Sequence, residues 1–148
     1  MRVVKNTFLF LLWVAHILVV SCDKDDDKNN PPDCTDVTCT EIFVTLTVTV
    51  KDASGVVVPL DSFSVVNLEN NEDLTRELSA NGFEMARQTG TYPLFGDEYV
   101  ESYQNDALTI LFKGFIDGEE VVNAQYEVGA DCCHVLLRVG ETDIVITE

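Results

Sequence analysis

One alternating stretch decides the fold, and it reads Val44-Thr45-Leu46-Thr47-Val48-Thr49-Val50-Lys51. Aliphatic and threonine side chains alternate along it, so an extended strand would have one apolar face and one polar face. This period of two predicts a half-buried β-strand within residues 41–51. The next four residues, Asp52-Ala53-Ser54-Gly55, have the composition of a tight turn. The strand and its turn are therefore the first element of a β-rich domain.

The same pattern returns along the rest of the chain. Five further strands are predicted at residues 62–68, 107–116, 119–128, 132–139 and 144–147. Asp117-Gly118 separates two of them and predicts a hairpin turn. Residues 74–92 are the exception, because Asn81-Gly82 and Thr89-Gly90 indicate loops there while a short helix stays open. We expect an all-β fold, a single antiparallel β-sandwich of about seven strands with an Ig-like or transthyretin-like architecture.

The amino terminus has the organisation of an export signal. Arg2 and Lys5 precede an apolar run at residues 7–20 that is too short to span a bilayer, for which about twenty residues are needed. The run ends in Val19-Val20-Ser21-Cys22, which resembles the lipobox of bacterial lipoproteins. The resemblance implies that residues 1–21 are removed and that Cys22 is acylated, which anchors the chain to a membrane.

Residues 22–33 follow as a polar segment with no apolar side chain other than prolines after Cys22. Such a composition predicts a disordered, flexible tether between the anchor and the domain at residues 34–148. Within it, Lys24-Asp25-Asp26 resembles the surface-export signal of Bacteroidetes lipoproteins. The resemblance implies an outer-membrane lipoprotein displayed on the cell surface, whereas a plain acidic spacer is the alternative interpretation.

The charge of the chain excludes one class of partner. Arg2 and Lys5 leave with the signal, so seven basic and 26 acidic residues remain, for a net charge of −19. A surface of this charge repels phosphate backbones, and no Gly-rich phosphate loop is present. We therefore expect no nucleic-acid partner, and an extracellular glycan or protein ligand remains open.

The cysteine count predicts two disulfides. Apart from Cys22, an even four remain, at Cys34, Cys39, Cys132 and Cys133. If residues 132–139 form a strand, Cys132 and Cys133 point to opposite faces and are poorly placed to bond each other. We expect each of them to pair with Cys34 or Cys39, and which pairs with which stays open. Zinc bound by these cysteines and His134 is disfavoured, because adjacent ligands on one strand do not converge on a tetrahedral ion.

Signals for catalysis are weak, and we predict no enzyme activity, no cofactor and no metal site. Calcium binding by surface carboxylates stays open, although no spaced loop of the EF-hand type is present. His134 is the one imidazole left after signal removal, and we expect it on a strand surface beside a half-cystine. The carboxylate pairs Asp97-Glu98 and Glu119-Glu120 are expected by chance in so acidic a chain. An aromatic cluster in a loop-rich segment is either a ligand platform or core packing, and it consists of Tyr92, Phe95, Tyr99 and Tyr103.

A family resemblance is carried by Val48-Thr49-Val50-Lys51-Asp52-Ala53-Ser54-Gly55-Val56-Val57-Val58-Pro59. The alternating Val/Thr strand, the Asp-x-x-Gly turn and the Val-Pro step look like a carboxypeptidase regulatory-like, transthyretin-type sandwich. Asp131-Cys132-Cys133-His134-Val135 is similar to a motif before the last strand of small Bacteroidetes lipoproteins. The resemblance implies a noncatalytic binding or accessory module, and a structural cell-envelope lipoprotein without a soluble ligand is the alternative.

Overall fold

The computed structural model describes residues 33–147. Within that range no helix combines the length and the apolar character needed to cross a bilayer. The predictions for the signal and for the tether up to residue 32 lie outside the described residues. The same holds for the individual residues assigned to the lipobox, to acylation and to surface export, which are Val19, Val20, Ser21, Cys22, Lys24, Asp25 and Asp26.

Two sheets contain the seven strands of the described residues. The strands are β1 (Thr45–Asp52), β2 (Ser62–Asn67), β3 (Thr91–Gly96), β4 (Ala107–Ile116), β5 (Glu119–Ala130), β6 (Val135–Val139) and β7 (Asp143–Ile146). One sheet has the order β3-β1-β7 and the other β2-β4-β5-β6. Neighbouring strands are antiparallel, except that β7 runs parallel to β1. The predicted all-β sandwich is confirmed, with this one parallel pair as a departure.

The core lies between the two sheets and forms one continuous cluster. Val48 and Val50 point into it from β1 and are 0% exposed, as the alternation of the opening stretch predicts. The ring of Tyr92 on β3 lies 6.4 Å, between centroids, from that of Phe112 on β4, so side chains of the two sheets interdigitate. The hydroxyl of Tyr92 also accepts a hydrogen bond from the buried backbone N–H of Leu60, at 2.7 Å.

The turn after β1 is built by Asp52, as its composition predicts. The Oδ1 atom of Asp52 accepts hydrogen bonds from the backbone N–H groups of Ser54 and Val56, at 2.8 and 2.9 Å. The hydrogen bond from the Ser54 hydroxyl, followed by that from Val56 N–H, lowers the pKa of this carboxyl. Gly55 has a φ of 82°, a left-handed conformation that glycine adopts without steric cost. The Asp-x-x-Gly turn therefore has a local electrostatic cause.

The region before β3 contains a helix, α1 (Ala80–Thr89). The Ser79 hydroxyl caps its first turn by accepting a hydrogen bond from the backbone N–H of Gly82, at 3.1 Å. The helix ends at Gly90, whose φ of 67° is the left-handed conformation typical of helix termination. The loop prediction at Asn81-Gly82 is therefore wrong, because the cap at Ser79 makes these residues the first helical turn, whereas Thr89-Gly90 marks the helix end.

The sequence pattern predicts loops where the structure has strand β3, because Pro93 interrupts the alternation that indicates a strand. Proline is tolerated here since β3 is at the edge of its sheet and needs no second ladder of hydrogen bonds. The register shifts between the β1 residues Leu46 and Thr47, which pair with Phe95 and Pro93. The skipped residue, Leu94, forms a β-bulge that breaks the period of two.

The hairpin prediction for the carboxy-terminal half is confirmed. Strands β4 and β5 pair antiparallel across Asp117 and Gly118, whose positive φ values of 51° and 81° are those of a two-residue type I′ turn. The prediction of a strand from Cys132 is wrong at its start, because β6 begins only at Val135. Both cysteines therefore lie in the loop that joins β5 to β6.

Candidate functional site

Two disulfides join the beginning of the described chain to the β5–β6 loop. Cys34 pairs with Cys132 and Cys39 pairs with Cys133, with a Cα–Cα distance of 5.3 Å in each. The predicted long-range pairing is confirmed, and the structure settles which cysteine bonds to which. Because the four sulfur atoms are bonded in pairs, none is the thiolate that zinc binds.

Asp131 shapes the loop that carries the two cysteines. Its Oδ1 atom accepts hydrogen bonds from the backbone N–H groups of Cys133 and His134, at 2.7 and 2.8 Å. These two bonds, the one from Cys133 first, lower the pKa of the Asp131 carboxyl. The carboxylate competes with the sheet for the same backbone groups, which explains why the strand starts later than predicted.

Asp97, in a 3-10 helix (Asp97–Tyr99) after β3, connects parts of both sheets. Its Oδ2 atom accepts from the backbone N–H of Val44, at 2.7 Å, and its Oδ1 atom accepts from that of Val135, at 2.9 Å. The Nδ1 atom of His134 lies 2.8 Å from Oδ2. These contacts bring together the residues that immediately precede β1 and begin β6.

The ionised form of Asp97 is favoured although its side chain is only 10% exposed. Burial, the largest single influence, by itself raises the pKa of this carboxyl. The hydrogen bond from Val44 N–H, then those from His134 and Val135, together outweigh burial and hold the pKa below its usual value. The carboxylate is thus an anion stabilised by fixed donors.

His134 bridges Asp97 to the amino-terminal segment. Its side chain is 25% exposed, and its Nε2 atom lies 3.1 Å from the Thr40 hydroxyl. The prediction that His134 lies on a strand surface is wrong, because the residue precedes β6 and its ring is enclosed by the loop. Thr40 follows the half-cystine Cys39 and His134 follows Cys133, so one disulfide holds the two side chains side by side.

The carboxylate, imidazole and hydroxyl have the connectivity of a catalytic triad. The disulfide between Cys39 and Cys133 places Thr40 beside His134. The groove described next includes none of these residues. Nothing in the local sequence marks Asp97 as the partner of His134, which is 37 positions away, so sequence reasoning had no signal for the contact.

A groove of about 390 Å³ lies between α1 and the outer face of β1, the face directed away from the core. Its helix wall presents Gly82, Met85, Ala86 and Thr89, which share one helix face by their spacing. Its sheet wall consists of side chains on the outer face of β1 and β3. These are Thr45, Thr47, Thr91 and Pro93, and Arg76 and Leu78 complete the lining.

The aromatic cluster belongs to the core rather than to a ligand platform. Tyr92 and Phe95 are buried, and the ring of Phe95 stacks on that of Tyr99 with centroids 4.8 Å apart. Desolvation by burial raises the pKa of Tyr92 and of Tyr99. Tyr103 packs at the edge of the same group, with a centroid distance of 5.8 Å to Phe95. Of the two alternatives, core packing describes these side chains.

One carboxylate of each of the two sequence pairs has local structural partners. Asp97 is engaged as described, whereas Glu98 is exposed. Glu120 accepts hydrogen bonds from Asn123 and from Lys113, which in that order lower the pKa of its carboxyl. Among residues 33–147, no group of three or more His, Cys, Asp or Glu side chains is arranged to hold a metal ion.

Comparison of the chain with protein-family models, with curated proteins and with solved structures gave no match.

The interleaved arrangement of the two disulfides, 34–132 and 39–133, predicts a non-additive effect on stability. Each closes a loop of more than ninety residues alone, but the second adds only a loop of about seven residues once the first exists. On the chain-entropy relation, replacing either pair by Ala should cost about 2 kcal/mol and replacing both about 7 kcal/mol. Urea unfolding of the three variants measures this. Equal and additive losses would show that the two crosslinks act independently.

The lowered pKa of Asp97 predicts a pH-dependent contribution to stability. Its stabilisation is complete above the unfolded-state pKa of about 3.9 and is lost as the pH falls through the lower folded-state pKa. Asp97→Asn should lose about 2 kcal/mol at neutral pH, where it no longer supplies a charged acceptor. The difference in free energy of unfolding between wild type and Asp97→Asn should narrow below about pH 4.

The matched control is Asp36→Asn, at an exposed position in the same amino-terminal segment. It should follow the wild-type stability curve at every pH. Denaturant unfolding followed by circular dichroism from acidic to neutral pH gives both curves. If the free-energy difference between wild type and Asp97→Asn stays constant across this pH range, the Asp97 carboxyl does not have the lowered pKa that we assign to it.

Proposed function

We propose that the chain is an outer-membrane lipoprotein exposed at the cell surface. Cys22 carries the lipid anchor, residues 23–33 are the tether, and the sandwich is a noncatalytic binding or accessory module of the carboxypeptidase regulatory-like type. The observation that carries the proposal is that the four cysteines of the sandwich bond to one another. None of them is left to pair with Cys22, the fifth cysteine of the chain.

The disulfides also support an extracytoplasmic location. Structural disulfides persist in oxidising compartments and are rare in a reducing cytoplasm. They crosslink the fold next to the proposed tether, because Cys34 and Cys39 follow its last residue, Asp33. Force on a lipid anchor would therefore pass through covalent bonds to the β5–β6 loop before reaching β1.

The noncatalytic role is supported by how the reactive groups are used. His134, the one imidazole in residues 33–147, contacts Asp97 and Thr40, and none of these three residues lines the groove beside α1 where a ligand could lie. A two-sheet sandwich is also the fold that the family resemblance implies, and modules of that type act without catalysis. The double crosslink at the anchored end also favours a second candidate, a structural envelope lipoprotein with no soluble ligand.

Two sets of substitutions separate anchoring from surface display. Cys22→Ala removes the thiol that would be acylated, so metabolic labelling with a fatty acid should be lost and the chain should leave the membrane fraction or keep its signal. Changing Lys24, Asp25 and Asp26 together to Ala should keep acyl labelling while the chain becomes inaccessible to protease added to intact cells.

The control is the double change Asp27→Ala and Lys28→Ala, which alters the same acidic tether just beyond the triplet. This variant should remain acylated and protease-accessible. Acyl labelling of Cys22→Ala would refute the anchor. If the triple variant stays protease-accessible while the control does too, the surface-export assignment fails and the anchor stands.

A further inference from the structure

The groove beside α1 differs in charge from the protein that surrounds it. The chain has 26 acidic and nine basic residues. None of the residues that line the groove is acidic, and one of them, Arg76, is a cation. A surface of net negative charge repels anions in general. A cation in a groove whose lining has no carboxylate, and whose one recorded ion pair is the long contact with Glu98 outside the lining, marks a place where an anionic group can bind.

The guanidinium of Arg76 is positioned by a hydrogen bond, a cation–π contact and a long ion pair, which together leave N–H donors available. Its Nη1 atom donates to the Thr45 hydroxyl at 2.9 Å, and its Cζ atom lies 5.2 Å from the centroid of the Phe43 ring. The nearest oxygen of Glu98 is 3.9 Å away, beyond hydrogen-bond distance. A guanidinium has five N–H donors in a planar fork, so a bound carboxylate could still be held in a bidentate manner.

Beside this cation the groove is apolar. Leu78, Met85, Ala86 and Pro93 form its apolar lining, and Met85 is 60% exposed. The ring of Phe43 under the guanidinium is 55% exposed. A flexible thioether adapts to ligand side chains of different shape, and an exposed apolar surface is covered favourably by another apolar group. The groove therefore fits a ligand with an apolar group next to an anionic one.

The remaining polar groups favour a peptide over a sugar. The hydroxyl of Thr47 is exposed on the sheet wall and makes no hydrogen bond within residues 33–147. A hydroxyl both donates and accepts, so it can pair with the N–H or C=O of an extended backbone. No carboxylate or amide side chain lines the groove to bind adjacent sugar hydroxyls. Its volume of about 390 Å³ lies within the range of ligand pockets, about 300–1,000 Å³.

We propose that this groove binds a short extended peptide in which an apolar side chain precedes a carboxylate. The carboxylate pairs with Arg76, the apolar side chain packs against Met85, and the peptide backbone contacts Thr47. This inference rests on the proposed binding-module function and names its ligand class.

Fluorescence anisotropy of the full chain in a zwitterionic detergent tests the assignment. The probe is a pool of fluorescein-labelled hexapeptides in which Leu, Ile, Val, Phe or Met precedes Glu, and a second pool has Gln in place of Glu. The Glu pool should bind at least about tenfold more tightly, the effect of one charge-assisted pair. Arg76→Gln should remove that preference, and Thr47→Trp, which fills the groove, should abolish binding of both pools.

Lys113→Gln is the matched control, because it removes a positive charge from β4, away from the groove lining. It should leave both affinities unchanged, and every variant should keep the wild-type circular dichroism spectrum and a cooperative unfolding transition. Equal binding of the two pools, insensitivity to Arg76→Gln, or no binding by the wild type would each overturn the peptide assignment.

The assay also includes fluorescein-labelled maltohexaose as a neutral oligosaccharide probe. Its binding, lost in Thr47→Trp and unaccompanied by peptide binding, would overturn the peptide assignment while the binding-module proposal stands. The proposed lipid anchor is tested separately, by the acyl labelling of Cys22→Ala.

Discussion

Burial of one face of β1 is the constraint on which the rest of the structure depends. β1 is the central strand of its sheet, and Val48 and Val50 on its inner face are fully buried. A single sheet cannot exclude water from that face, so the second sheet has to cover it, and burial of this apolar surface is the main force that holds the two together. The outer face of the same strand carries threonines, two of which line the groove beside α1. One alternating sequence thus determines both the core and the surface to which we assign a ligand.

The amino-terminal segment is held by a different set of interactions. Residues 33–44 contain no strand, so they depend on the two disulfides and on the hydrogen bond from Val44 N–H to Asp97. The same carboxylate accepts from Val135 at the start of β6. These interactions limit local opening of the segment, because local opening starts where a chain segment is weakly packed.

The sequence predicted those features that depend on local patterns. The strands predicted at residues 107–116 and 119–128 and the turn at Asp52 follow from alternation and turn chemistry, and the presence of two disulfides follows from the cysteine count. Their long-range pairing was expected from a strand at Cys132 and Cys133, although β6 begins only at Val135. Strand β3 was missed because Pro93 and the bulge at Leu94 break the pattern that identifies strands. The contact between Asp97 and His134 could not be predicted, since it depends on how two distant segments meet in the fold.

The groove could not be predicted for the same reason. Arg76, Met85 and Thr47 come from a loop, a helix and a strand, and only the packing of α1 beside the sheet brings them together. No period or spacing in the sequence relates them. The sequence shows an excess of acidic residues, but it does not show which part of the folded surface lacks them.

We propose that the chain is a lipid-anchored extracytoplasmic domain that carries the two disulfides. Intact-mass spectrometry of the protein extracted from membranes without reductant tests it most directly. The account predicts a chain that begins at Cys22, carries the added mass of acyl chains, and gains four hydrogen atoms on reduction, two for each disulfide. A chain that begins at Met1 with no acyl mass, or one whose mass does not change on reduction, would contradict it.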